Sequence, residues 1–138
     1  MNTVYDQQLI EMRALFEQKT GAQLKDVFYD KNDKLTLVVE AGQMGKALGK
    51  GKQHLFSLQD ALGKKIRVVE FIDDRTEMIK RLIAPLTVTN IEDNGETVIL
   101  HGPDMKTNGL LIGKQARNLR NLEWMLQKYY EIKEIKVV

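Results

Sequence analysis

The chain has 138 residues, 43% of them hydrophobic and 29% charged, which suits a soluble globular protein of one ordinary domain or two small ones and excludes a disordered chain. No apolar run reaches the length of a membrane span, and Met1-Asn2-Thr3-Val4-Tyr5-Asp6 lacks the basic-then-apolar order of a secretory signal, so no membrane partner and a cytoplasmic location are expected. The absence of cysteine removes disulfides, thiolate metal sites and a cysteine nucleophile, while a net charge of +2 says little about partners until its distribution is read.

From Asp6 to Thr20, apolar residues at Leu9, Met12, Leu15 and Phe16 keep to one helical face, and Gly21 is a stop. Val27, Phe28 and Tyr29 read as a strand, Asp30-Lys31-Asn32-Asp33 as a turn, and Leu35, Leu37 and Val39 as a returning strand with alternate residues inside. A short helix from Gln43 to Leu48 leads into a glycine turn. An amphipathic helix from Lys52 to Leu62 follows and ends at Gly63, and Ile66, Val68 and Val69 close the set as a strand. The order then starts again. Asp73 to Leu82 reads as a helix with Asp73 and Asp74 at its positive end, and Pro85 stops it. Leu86 to Ile91 and Thr97 to Leu100 read as strands joined through Glu92-Asp93-Asn94-Gly95. Thr107 to Ile112 is a second lead-in helix, Gly113 turns the chain, Ala116 to Tyr130 is a longer helix, and Ile135 to Val138 is the last strand. Each half is thus helix, strand, strand, helix, turn, helix, strand: an α+β unit whose three-stranded sheet is covered by helices on one face. A boundary near Phe71 to Asp74 gives domains 1–72 and 73–138, and the lack of a Gly/Ser/Pro-rich linker predicts halves packed at a fixed angle.

The halves share more than their order. Ala47-Leu48-Gly49-Lys50-Gly51-Lys52-Gln53-His54-Leu55 returns 64 residues later as Leu111-Ile112-Gly113-Lys114-Gln115-Ala116-Arg117-Asn118-Leu119. At the same offset Leu55, Leu58 and Leu62 match Leu119, Leu122 and Leu126, and Gly45 matches Gly109. Positive charge gathers on both copies. Residues 46–67 hold Lys46, Lys50, Lys52, Lys64, Lys65 and Arg67 against Asp60 alone, and residues 106–120 hold Lys106, Lys114, Arg117 and Arg120 with no acid. The acids lie between, so the chain carries a local field that a polyanion can feel although the whole is nearly neutral.

A glycine turn that opens a helix offers close backbone approach and unpaired N–H groups at a positive helix end, which suits phosphate oxygens. Lys50 and Lys114 add full charge there, and the apolar residues Leu48, Leu55, Ile112 and Leu119 flank the turns. An anion-binding turn beside an apolar platform fits one strand of nucleic acid. The nucleotide-enzyme patterns fail. A phosphate loop needs four residues between its glycines, then Gly-Lys-Ser/Thr; Gly45 and Gly49 have three between them and Gly51 follows Lys50. The dinucleotide fingerprint begins at Gly49-Lys50-Gly51 but meets His54 where its last glycine belongs. No carboxylate pair, Ser/His/Asp set or metal-ligand cluster stands out, so no enzyme, cofactor, metal or small-molecule substrate is expected. His54 beside the first turn is a surface residue or a phosphate or base contact. His101 reads as structural, Trp124 as packing between the halves, and Tyr129 and Tyr130 as core or seam.

These turns resemble the KH domain, a binder of RNA and single-stranded DNA whose signature is Ile-Gly-x-x-Gly-x-x-Ile between two helices. The element order is similar to the type II arrangement. Two such modules, with Gly42-Gln43-Met44-Gly45-Lys46-Ala47-Leu48-Gly49-Lys50 in the first and Leu62-Gly63-Lys64-Lys65-Ile66-Arg67-Val68-Val69-Glu70 after it, resemble the archaeal NusA family along nearly the whole chain. The resemblance implies tandem type II KH-like modules that bind single-stranded RNA and act in transcription termination or its regulation with RNA polymerase. The RNA-binding residues it points to are Lys46, Leu48, Gly49, Lys50, Gly51, Lys52 and Leu55 in the first module, and Ile112, Gly113, Lys114, Gln115, Ala116, Arg117 and Arg120 in the second. The signature ends its loop with glycine, whereas Lys52 and Ala116 stand there. A side chain at that point is expected to restrict the loop, with the first loop binding better than the second. The alternative is a protein–protein adaptor on the transcription or ribosomal machinery, with little RNA affinity and the acidic stretch Glu70 to Glu77 as its contact.

Overall fold

The computed structural model describes residues 3–138; Met1 and Asn2, on which the expected first domain begins, lie outside the described residues. The chain divides into two compact units, Met1–Phe71 and Ile72–Val138. The first contains α1 (Thr3–Thr20), β1 (Leu24–Tyr29), β2 (Leu35–Val39), α2 (Met44–Leu48), α3 (Gln53–Leu62) and β3 (Ile66–Glu70). The second contains α4 (Arg75–Ile83), β4 (Asn90–Asn94), β5 (Thr97–His101), α5 (Met105–Ile112), α6 (Arg117–Leu126) and β6 (Glu134–Val137). Each unit is a three-stranded sheet in sequential order, with the first pair antiparallel and the second parallel. A parallel pair needs a crossover, and the two helices flanking each glycine turn provide it. The architecture is the α+β, tandem type II KH-like arrangement.

The first core is built on Leu24, Leu35, Leu37, Val39 and Ile66, closed by Phe16, Ala22 and Ala47. The alternation expected for β2 holds only in part, because all five of its residues are buried. β2 is the central strand, and Thr36 on its second face is fully enclosed. The Thr36 hydroxyl donates to the Lys34 carbonyl at 3.2 Å and receives an Arg67 N–H at 3.4 Å. Arg67 also donates to Asp30 at 3.0 Å, whose carboxylate accepts the backbone N–H of Asn32 and of Lys34, both at 2.9 Å. The enclosed Asp30 thus has partners enough to offset its loss of water, and the turn before β2 is fixed by them.

In the second unit several boundaries move. α4 begins at Arg75 rather than Asp73, because Asp74 is the cap and accepts the N–H of Thr76 and Glu77. The Thr76 hydroxyl and these amides hold the Asp74 carboxyl below the usual carboxylate range. The strand expected over 86–91 begins at Asn90: Leu86 N–H still turns back to the Ile83 carbonyl, and the ladder opens only with Thr89 N–H on His101. It runs through Glu92, Asp93 and Asn94, which polarity assigned to a turn, because β4 is an exposed edge strand where polar side chains cost nothing. Asn94 pairs with Thr97, so the turn itself is Gly95-Glu96, with Gly95 at φ 81°. The last helix ends at Leu126 rather than Tyr130. The N–H groups of Tyr129 and Tyr130 fold back on the Leu126 carbonyl, and the Gln127 amide donates to Ile132 at 3.1 Å, which returns Ile132 and Ile135 to the core.

One polar knot ties α4 to the β4–β5 hairpin. Arg75 donates to both carboxylate oxygens of Asp93 and to the carbonyls of Gly95 and Glu131. The Arg75 hydrogen bonds hold the Asp93 carboxyl below its ordinary value. A depressed folded-state pKa contributes stability above the unfolded carboxylate value, about 4, and that contribution is lost as pH falls through the folded value. Amide exchange of β5 is therefore expected to quicken below about pH 4, and Asp93→Asn to remove part of that acid sensitivity.

Candidate nucleic-acid interface

Both turns are built alike. α2 ends where Gly49 N–H bonds the Gly45 carbonyl at 3.0 Å, and α5 ends where Gly113 N–H bonds Gly109 at 2.8 Å. Gly49 has φ 75°, ψ 173°, and Gly113 has φ 75°, ψ 172°. Two left-handed residues follow in each turn. Gly51 (62°, 23°) and Lys52 (61°, 25°) match Gln115 (56°, 32°) and Ala116 (60°, 23°), so no corresponding angle differs by more than 9°. Lys52 and Ala116 both take left-handed backbone where the signature has glycine, so the two turns differ in their side chains and not in their path. Those side chains do carry the strain of left-handed backbone, about 1 kcal/mol each. Ala116→Gly should raise the stability of the second unit by about that amount in denaturant melts.

A repeated side-chain lock holds each turn. His54 Nδ1 donates to the Lys46 carbonyl at 3.0 Å, and Asn118 Nδ2 donates to the Leu110 carbonyl at 2.9 Å, the same two positions 64 residues apart. Each locking side chain lies over its glycine. A Cβ on Gly49 would stand 2.7 Å from His54 Nδ1, and one on Gly113 would stand 2.7 Å from the Asn118 amide and 2.9 Å from the Asn118 backbone nitrogen. His54 is accordingly spent on holding the turn.

The remaining expected residues fall in two groups. Lys46, Lys50, Gly51, Lys52, Lys114, Gln115, Arg117 and Arg120 are exposed, and Leu48, Gly49, Leu55, Ile112, Gly113 and Ala116 are half-buried beside them. Neither α3 nor α6 has an acid in its first turn, so the positive helix ends and the lysines stand without a local counter-charge. Arg120 differs, since it pairs with Glu123 at 2.9 Å. Glu123 is buried and also accepts the Ile135 N–H at 2.7 Å. Leu119, read as a flank of the second turn, is core at 6% exposure. Sequence reading passed over Phe56, which is 52% exposed one helical turn after Lys52, where the second unit carries Arg120. The signal was present in the repeat, as an aromatic residue at a polar position.

Away from the turns, His101 pairs with Glu92 at 2.7 Å, and the Lys128 ammonium lies 4.3 Å from the centroid of the half-buried Trp124 ring. The Tyr130 hydroxyl donates to the Ile72 carbonyl at 2.7 Å. Among the described residues no group of His, Asp and Glu could hold a metal ion, and no helix is long and apolar enough to cross a membrane.

No family model matches the chain. It is similar to three archaeal proteins named "Probable transcription termination protein NusA". Identity is 29% to that of Methanococcus vannielii, covering 91% of this chain and 73% of the relative. It is 27% to that of Halococcus morrhuae, over 90% of each, and 26% to that of Halobacterium salinarum, over 92% of each. Among solved structures, the "Crystal structure of APE1850" matches with a TM-score of 0.71 at 26% identity, covering 95% of this chain and 98% of the other. The likeness to archaeal NusA carried by the two turns thus extends over nearly the whole chain.

Proposed function

We propose that the chain binds single-stranded RNA through its two glycine-lysine turns, without catalysis and without a cofactor, and acts in transcription termination or its regulation together with RNA polymerase. One observation carries the binding half of this reading: two turns with the same torsions, each bearing exposed lysine and opening a helix with no acid in its first turn. The names of the archaeal relatives carry the transcription half. In this reading residues 1–72 and 73–138 are the binding domains, and the protein works in the cytoplasm. Backbone N–H groups of Lys50, Gly51, Lys114 and Gln115 donate to phosphate oxygens, those of Lys52 and Ala116 being held by the Gly49 and Gly113 carbonyls, and Lys46, Lys50, Lys52, Lys114 and Arg117 supply charge. Arg120 contributes when it leaves Glu123. Leu48, Leu55 and Ile112 border the strand, and the exposed face of Phe56 takes a base.

The test is titration of the labelled protein with a short mixed-sequence RNA. Amide shifts should gather on residues 49–52 and 113–116, and affinity should fall as salt rises because phosphate contacts release counterions. Shifts confined to other surfaces would sink the proposal. Phe56→Ala should weaken binding about tenfold by fluorescence anisotropy, the lower range of one lost base stack.

A further inference from the structure

α3 and α6 hold matched places after the two turns but are covered unequally. Six residues of α6 are buried, and none of α3. At the 64-residue offset, Asn121 and Met125 of α6 correspond to Ser57 and Ala61 of α3. Beside these smaller side chains runs a groove of about 340 Å³ between α1 and α3. It is lined from positions 12, 15, 16 and 19 of α1 and 54, 57, 58 and 61 of α3, so each helix presents one face over two turns. Leu15, on its wall, is 56% exposed.

We propose that this groove is a docking site for an amphipathic helix of a protein partner, whose apolar ridge is flanked by carboxylates. The shape argues for a helix, because two helical walls with i, i+3, i+4, i+7 spacing accept the ridge of a third. The volume argues for apolar side chains: it is about twice the ~150 Å³ that remains when one large aliphatic side chain is removed from a core. The charge argues for acid on the flanks, since the ionisable groups of the lining are Lys19 and His54, with no carboxylate, and Lys50 and Lys52 stand just before α3 at the His54 end. RNA fits this surface poorly, because the aromatic residue of the lining, Phe16, is buried and offers no stacking face.

The experiment titrates the labelled full chain with a synthetic peptide of about 15 residues, long enough for a marginal helix. It carries leucine at i, i+3, i+4 and i+7 and glutamate on both flanks; a second peptide carries lysine there instead. Amides of Leu15, Lys19, Ser57 and Ala61 should shift with the acidic peptide, and the basic one should bind at least about tenfold more weakly. Ala61→Met, which installs the residue found in the second unit, should abolish peptide binding and leave RNA affinity unchanged; Ser57→Asn is the second variant should Ala61→Met not fold. Absent groove shifts, equal binding of the two peptides, or peptide binding that survives both variants overturns the proposal. So does a wild-type dimer in sedimentation that Ala61→Met splits, which would give the groove to a second copy of the chain.

Discussion

Gly113→Ala is expected to cost the second unit about 4 kcal/mol, combining a strained torsion with an overpacked contact of 1–3 kcal/mol each. At φ 75° and ψ 172° the position lies in a region that glycine alone populates, and the added methyl would stand 2.9 Å from the Asn118 backbone nitrogen. Backbone cannot yield as a side-chain tip can. Since a domain has only about 5–15 kcal/mol in hand, the second unit should melt many degrees earlier, which calorimetry and amide exchange of β5 would show. Gly109→Ala is the control. That residue lies within α5, has no positive φ and has nothing within 4 Å of an added Cβ, so it should be neutral or stabilising. Equal melting of the two variants would refute the account of the lock. In the first unit the nearest atoms to such a methyl on Gly49 all belong to the His54 ring, so His54→Ala should rescue Gly49→Ala in part.

Lys50→Asp combined with Lys52→Asp is expected to lower single-stranded RNA affinity about a hundredfold at low salt, and to reduce the slope of log affinity against log salt by about 2. Both side chains are exposed and no acid occupies the first turn of α3, so the reversal places repulsion at the helix end without disturbing the core. The fold should survive, because Lys52 contributes only its left-handed backbone, which aspartate tolerates better than most residues. Lys114→Asp should cost less, as the second turn holds one lysine where the first holds two. Unchanged affinity in a folded double variant would remove the first turn from the interface.

The strands, helices and twin turns were legible because periodicity, stop signals and the 64-residue repeat agreed with one another. The misreadings share a cause. Glu92 and Asp93 looked like turn residues because polarity cannot tell a loop from an exposed edge strand, and the tail of the last helix looked helical although Gln127 bends it toward Ile132. Thr36 and Val38 looked outward-facing because alternation assumes a sheet with one dry face, which the central strand lacks. At the site, the lysines and glycines were readable by type. The partnership of His54 with Lys46 was not, since it spans eight residues and depends on the chain already having turned. Leu119 failed as a flank for a similar reason, because its helix face meets the core.

The bond from His54 to Lys46, with its counterpart from Asn118 to Leu110, bears on speed. A recognition element already set in its final conformation need not rearrange when a polyanion arrives, so little ordering entropy is lost on contact. Encounter should then run near the electrostatically steered limit, and differences between sequences should show in residence time. Loosening the clasp with Asn118→Ala would slow capture while leaving every charge in place.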